Sequence, residues 1–307
     1  MGNNTGRVVN YRFGAYKKYT GTLEKGEPHG FGTVFITGYH DPCEWDQGPF
    51  ENWEKHTGTW EHGKKHGNGV TTYKRGYELT AMWDNNNLPG SCTVHYPGFR
   101  YEKGTYVGSW NWDMGWRTGQ GTMEWSNGRK YVGNWSNNYR SGQGTMEWPD
   151  GRKYVGNWSN DQMSGEGTME WTDGRKYVGN WSNDQMHGEG TMTSPDGAKY
   201  VGNWSKDKMS GQGTMEWSNG RKYVGNWEDD KMHGEGLLID GNARSHGYFR
   251  KGVKHGIFHV SVDGQPPEQK HFVFGEPLEG NVSEEGGTVK INNDGEEGYV
   301  TAPPTVG

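Results

Sequence analysis

Tyr131-Val132-Gly133-Asn134-Trp135 is followed, seven residues after its tryptophan, by Gly142-Gln143-Gly144. The phrase returns at Tyr154, Tyr177, Tyr200 and Tyr223, always 23 residues on. The paired glycines keep step at Gly165/Gly167, Gly188/Gly190, Gly211/Gly213 and Gly234/Gly236. A fixed period of this length marks one supersecondary unit stacked on copies of itself.

Looser copies lie on both sides. Tyr19 leads to Gly30 and Gly32, His56 to Gly67 and Gly69, and Tyr106 to Gly119 and Gly121. One unit sets Ala81, Trp83 and Gly90 on the template, with Leu79 and Cys92 replacing a tyrosine and a glycine. Further on, Gly247, Phe249 and Gly256 keep register, and Phe272 falls on the tryptophan position of an incomplete copy. The reading is about ten tandem repeats over 19–280, with insertions near 38–52 and 111–117. Residues 1–18 form a lead-in, and the acidic segment 281–307 is expected to lack fixed structure.

Within one repeat, Asn127-Gly128 lies between the runs ending at Trp125 and beginning at Arg129. Asn-Gly is a strong signal for a two-residue type I′ hairpin turn. The other connection, such as 159–164, reads as a longer polar loop. Each repeat is then two antiparallel strands of a continuing meander. The fold class is all-β, an elongated, twisted single antiparallel sheet of tandem hairpins, on the order of 100 Å long at ~4.8 Å per strand. A two-residue turn sets Met123, Trp125, Lys130 and Val132 on one face, and Glu124, Arg129, Tyr131, Gly133 and Trp135 on the other. Aromatics on both faces leave two solutions: the rings cover each other through twist, or a partner covers one face.

Composition agrees with a thin aromatic core. Hydrophobic residues are only 29% of the chain, yet it holds 16 tryptophans, 17 tyrosines and 53 glycines; mean hydropathy is −1.10. A net charge of −6 gives no reason to expect nucleic acid. Cys43 and Cys92 are too few for a disulfide framework and lack metal-ligand spacing. No apolar run approaches the ~20 residues of a membrane span. The first residues show no signal-peptide core, and Gly6 stands where N-myristoylation wants Ser or Thr. A cytoplasmic protein is expected.

Two sets of residues are candidates for binding. Trp125, Trp148, Trp171 and Trp217 form a periodic stripe, interrupted by Ser194; with Trp112 and Trp116 in one insertion and Trp45 in the other, they are the candidate contacts for a protein partner. The pairs Arg129/Lys130, Arg152/Lys153, Arg175/Lys176 and Arg221/Lys222 form a basic ladder suited to acidic phospholipid headgroups. Its bland counterpart is neutralisation by Glu124, Glu147, Glu170 and Glu216, diagonal to the arginines; the unit lacking both acid and Arg (Thr193, Ala198) fits such pairs. His29, His66, His187, His233 and His255 occupy one repeated slot, too far apart to share a metal. No catalytic set, metal or cofactor is expected. The insertions are either binding loops or packing over the ribbon's end.

Tyr-x-Gly-x-Trp, a polar loop, Gly-x-Gly-Thr-Met and Asp/Asn-Gly at this period resemble the MORN repeat (membrane occupation and recognition nexus). The resemblance implies a non-enzymatic scaffold. Similar proteins organise cytoskeletal structures such as ciliary radial spokes, dimerise, or tether membranes. The expected function is therefore binding of protein partners along an aromatic-lined ribbon in a cytoskeletal or ciliary assembly, with homodimers as one option. The alternative is a peripheral membrane adaptor using the Arg-Lys ladder. A third reading, carbohydrate or choline binding through exposed tryptophans, would suit a secreted protein.

Overall fold

The computed structural model describes residues 6–12, 17–36, 53–73, 76–88, 90–98, 102–111, 115–277, 282–285, 288–293 and 296–301. Trp45, Trp112 and the insertion near 38–52 lie outside them. The described residues are all-β and contain no helix. Twenty-three strands belong to one antiparallel sheet and three to another. The chain divides into two compact units, 1–163 and 164–307.

In the first unit each strand pairs with the next in sequence. Tyr131, in the strand Lys130–Ser136, stands opposite Met123 on one side and Met146 on the other, and Gly133 lies between Gly121 and Gly144. The two connections differ from expectation, and in opposite senses. Between Trp125 and Arg129 the loop has three residues: Trp125 N–H donates to Arg129 O at 2.9 Å, and Gly128 N–H donates to Trp125 O at 2.9 Å. Gly128 takes the left-handed position that ends such a loop, with φ of 86°. The supposed long loop is the tight one. Asn137 and Asn138, with φ of 51° and 71°, form a two-residue type I′ turn between the paired Ser136 and Tyr139.

One extra residue in a hairpin loop exchanges the faces of a strand. The sequence-based face assignment is therefore corrected. Met123, Trp125, Arg129, Tyr131 and Trp135 share one face, which holds all the buried rings of the repeat. Glu124, Lys130, Thr122, Val132, Gln120 and Asn134 share the other, where Val132 is 45% exposed. The buried aromatics of the repeat lie on one face only.

The ring face is built around the glycines. Tyr131 is fully buried and lies flat over Gly133 and Gly144; a Cβ on Gly144 would fall 2.3 Å from its phenol oxygen. The hydroxyl donates to Asn134 O at 2.9 Å. The other paired glycine, Gly142, has φ of 61° in a bulge where residues 141–143 face Asn134 alone. The rings meet edge to face: Tyr106–Trp135 at 5.6 Å, Tyr131–Trp135 at 5.1 Å and Tyr131–Trp158 at 5.5 Å. Such contacts are worth about 0.5–1.5 kcal/mol each beyond the area they bury.

The degenerate repeats keep this packing by paired exchange. Where Leu79 replaces the tyrosine, Ala81 and Cys92 fit opposite each other in the glycine positions, all three buried. In the second unit Ser245 takes the tyrosine position and Phe258 the second glycine position, so the ring arrives from the neighbouring strand. A Cβ on Gly247 would meet Phe258 Cδ1 at 2.8 Å. The edge-to-face series of this unit runs from Tyr177–Trp181 at 5.2 Å to Phe258–Phe272 at 5.3 Å.

Two terminal segments carry strands. Gly6–Arg12, in the lead-in, pairs with Lys17–Glu24. Val282–Glu285, Thr288–Asn293 and Glu296–Thr301 form the separate three-stranded sheet, within the segment that composition reads as unstructured. Acidic charge dominates that composition, but the strands carry valine, isoleucine, threonine and tyrosine, which suit a pleated backbone.

Candidate functional site

The periodic tryptophans sit where the three-residue loops begin, on the ring face. Trp125, Trp148, Trp171 and Trp217 are half-buried, and each has the arginine of its own loop over its ring. Guanidinium carbon to ring centre is 5.0 Å for Arg129–Trp125, 5.1 Å for Arg152–Trp148, 5.4 Å for Arg175–Trp171 and 5.2 Å for Arg221–Trp217. Arg152 and Arg175 also bind Asp150 and Asp173 at 2.8 and 2.7 Å. The backbone N–H of each arginine, then its side chain, holds the neighbouring aspartate below the usual carboxylate range. The exceptional loop has Ser194 and Ala198 in these two positions, joined by the same backbone bond at 2.8 Å. Tryptophan and arginine are absent together.

This corrects the expected ion pairing. Glu124 stands opposite Lys130 rather than diagonal to Arg129, with a 2.8 Å contact; Glu147–Lys153 and Glu170–Lys176 repeat it at 3.0 and 2.8 Å. Lys222 stands opposite Glu216 and Ile239. The arginines point to the ring face and the lysines to the other. The eight cations of the supposed ladder are divided between two faces.

A third set of residues escaped the sequence reading. One position just after the type I′ turn forms a slot, and in two repeats its arginine side chain stacks on the tryptophan of the next repeat. Met163, Met186, Met209 and Met232 hold this slot in later repeats and Lys65 holds it in an early one, but Arg117 and Arg140 hold it in two neighbouring repeats between them. Arg140 lies 4.2 Å from the Trp158 ring centre, and its Nε donates to Asp161 Oδ1 at 3.0 Å. Arg117 lies 4.0 Å from the Trp135 ring centre, and its Nη2 donates to Asn138 O at 2.9 Å. The two arginines, with Arg129, line a cavity of about 330 Å³ whose other walls are Tyr96, Met123, Trp125, Trp135, Glu102 and Asp161. Arg129 and Glu102 form an ion pair at its rim. Trp116 is half-buried opposite Asn111 and is not among the cavity walls. The signal in the sequence was the change from methionine to arginine at this position of the repeat.

Two buried groups near the start of the array are unusual. His56 fills the tyrosine position of its repeat, fully buried, with Nδ1 2.7 Å from Thr71 Oγ1; burial and then the Lys65 charge push its pKa down to about 3. Lys65 is 6% exposed, with Nζ 4.3 Å from the Trp83 ring centre; burial and then Lys17 lower it to about 7. Of the five histidines at one repeated position, His29 contacts Glu24 at 3.3 Å and His233 contacts Glu228 at 3.1 Å, acids of their own turns. Among the described residues no group of three or more His, Cys, Asp or Glu is placed to hold a metal. Nor, among them, is any helix long and apolar enough to cross a membrane.

The sequence profile of the MORN repeat matches residues 19–34, 56–76, 106–128, 131–151, 154–174, 177–199, 200–220 and 223–242, more than half of the chain. The chain belongs to the MORN-repeat family. The eight matches omit the units at Leu79 and Ser245, where the tyrosine is exchanged together with one or both glycines. MORN repeats are binding modules for protein or membrane lipid and are generally non-enzymatic, which makes this a repeat-based binding or scaffold protein.

Among curated proteins no sequence matches the chain. One similar solved structure is the SAS-4 (dCPAP) TCP domain in complex with a proline-rich motif of Ana2 (dSTIL) of Drosophila melanogaster: 12% identity, 52% of this chain, 85% of that chain, TM-score 0.33. Another is BamB from Moraxella catarrhalis: 10% identity, 93% of this chain, 96% of that chain, TM-score 0.15. Likenesses this slight bear on neither fold nor function.

Proposed function

We propose that this MORN-repeat protein is a non-enzymatic scaffold that binds protein partners on its ring face, in a cytoplasmic assembly of cytoskeletal or ciliary type. The observation that supports the reading is the half-exposed tryptophan flanked by an arginine at Trp125 and Trp148 in the first unit, where Trp125 also walls the cavity, and again at Trp171 and Trp217 in the second. Large aromatics and arginine are the side chains that dominate binding energy at protein interfaces. The assembly context rests on the family resemblance.

Binding to acidic phospholipid has less support. Three of the four ladder lysines are ion-paired on the opposite face, so the cations do not form one patch. The test is affinity capture from the native cell, with Trp125, Trp148, Trp171 and Trp217 all changed to serine. Ser194 shows that the loop accepts serine. The proposal expects the partners to be lost; an unchanged set captured by the folded variant would refute it.

A further inference from the structure

Several slot residues have the backbone N–H bound by the side chain of the second turn residue one repeat later. Arg140 donates to Asp161 Oδ1 at 2.8 Å, Met186 to Asp207 Oδ1 at 2.8 Å and Met209 to Asp230 Oδ1 at 2.8 Å. For Arg117 the acceptor is Asn138 Oδ1, also at 2.8 Å. The amide fills the structural role of the aspartate without its charge.

The consequence falls on the cavity. Arg140 is neutralised by Asp161 and Arg129 by Glu102. Arg117 has no carboxylate partner among the described residues; its side chain donates to the carbonyl oxygen of Asn138 and its backbone N–H to the amide oxygen. Three guanidinium groups against two carboxylates leave one positive charge in a cavity otherwise walled by Tyr96, Met123, Trp125 and Trp135. A half-buried charge without a counter-charge is costly, and an incoming anion would gain a charge-assisted hydrogen bond in a partly desolvated site.

We propose that this cavity is a subsite for one acidic side chain of a partner polypeptide, with Arg117 binding its carboxylate and the aromatic walls packing an adjacent apolar residue. The proposal rests on the protein-binding reading above and gives that partner a chemistry. A carboxylate fits better than a phosphate: the single excess charge balances a monoanion, whereas Glu102 and Asp161 oppose the ~2 negative charges of a phosphate group. The slot is methionine in the repeats matched at 177–242, so the subsite belongs to the first unit.

The test uses the full chain and follows the indole N–H resonances of Trp125 and Trp135 as acetyl-Leu-Glu-Leu-amide, or its glutamine counterpart, is added. The glutamate peptide is expected to shift both resonances, and the glutamine peptide to bind at least about tenfold more weakly, as expected for one lost charge-assisted bond. Asn138→Asp supplies Arg117 with an internal carboxylate of the kind Arg140 already has. It should weaken the glutamate peptide at least about tenfold while leaving thermal unfolding intact. Asp161→Asn frees a second arginine and should tighten binding.

Equal binding of the two peptides, no shift with either, or full binding by Asn138→Asp overturns the proposal. So does a shift of these resonances by phosphoinositide vesicles or inorganic phosphate but not by the glutamate peptide. If Asn138→Asp captures the native partners while the four-tryptophan variant loses them, the subsite falls and the scaffold reading stands. If the four-tryptophan variant keeps every partner, the scaffold reading falls by itself.

Discussion

The indole N–H of Trp135 donates to the carbonyl oxygen of Gly121 at 3.2 Å, joining one repeat to the one before it. Trp158 binds Gly144 in the same way at 3.3 Å, and Trp204 binds Gly190 at 3.2 Å. The tryptophan therefore holds its own repeat through the tyrosine ring and its predecessor through the bond. Trp204→Phe keeps a ring and loses the donor, and should cost about 1–3 kcal/mol; Trp204→Ala should cost about 3–5 kcal/mol. Urea unfolding measures both, and amide exchange should quicken in the repeat before as well as in the repeat changed.

Tyrosine and glycine form an exchangeable pair. Gly144→Ala drives a methyl group into the Tyr131 ring and should destabilise the protein by more than 1 kcal/mol. With Tyr131→Leu in the same chain, the arrangement of Leu79, Ala81 and Cys92 is imitated, and part of the cost should return. A double-mutant cycle is expected to give a coupling of about 0.5–3 kcal/mol. Gly142→Ala is the control: its cost comes from the left-handed backbone, about 1–2 kcal/mol, and Tyr131→Leu should not relieve it.

The contact between Trp148 and Arg152 should matter little for stability. At a half-exposed site a cation over an aromatic ring contributes about 0.5–1 kcal/mol. Trp148→Ser with Arg152→Ala copies the loop of Ser194 and Ala198, and the cycle should show a coupling below about 1 kcal/mol. A larger value would mean that the tryptophans are kept for the fold, which would weaken the argument for binding.

Acid should loosen the first unit in two windows. Lys65 falls from 10.5 to about 7 on folding, so between these values the unfolded chain holds the extra proton, and stability drops as the pH is lowered through them. His56 falls from 6.5 to about 3, and stability drops again through that range. Lys65→Met places the methionine of later repeats in the slot and should abolish the upper window, leaving the lower one. The urea midpoint, followed from pH 10 to pH 4 in both proteins, reads this directly; parallel curves above pH 7 would mean that the lysine stays charged when folded.

The period, the tyrosine and tryptophan positions and the need for two glycines were legible because each repeat states them again. The faces were not. Asn127-Gly128 and Asn137-Asn138 are both turn sequences, and their loops differ by one residue. Only the pairing of Glu124 with Lys130 decides between them. The cavity was illegible for another reason. A reading that treats repeats as copies passes over Arg117 and Asn138, whose significance lies in differing from Met186 and Asp207.

The edge-to-face rings carry an optical consequence. Tyr131 touches the indoles of Trp135 and Trp158 at 5.1 and 5.5 Å. At such separations light absorbed by a phenol passes to an indole faster than the phenol can emit. The folded array should fluoresce as tryptophan alone even when tyrosine is excited. Tyrosine emission that returns during unfolding would then report, repeat by repeat, which rings have parted.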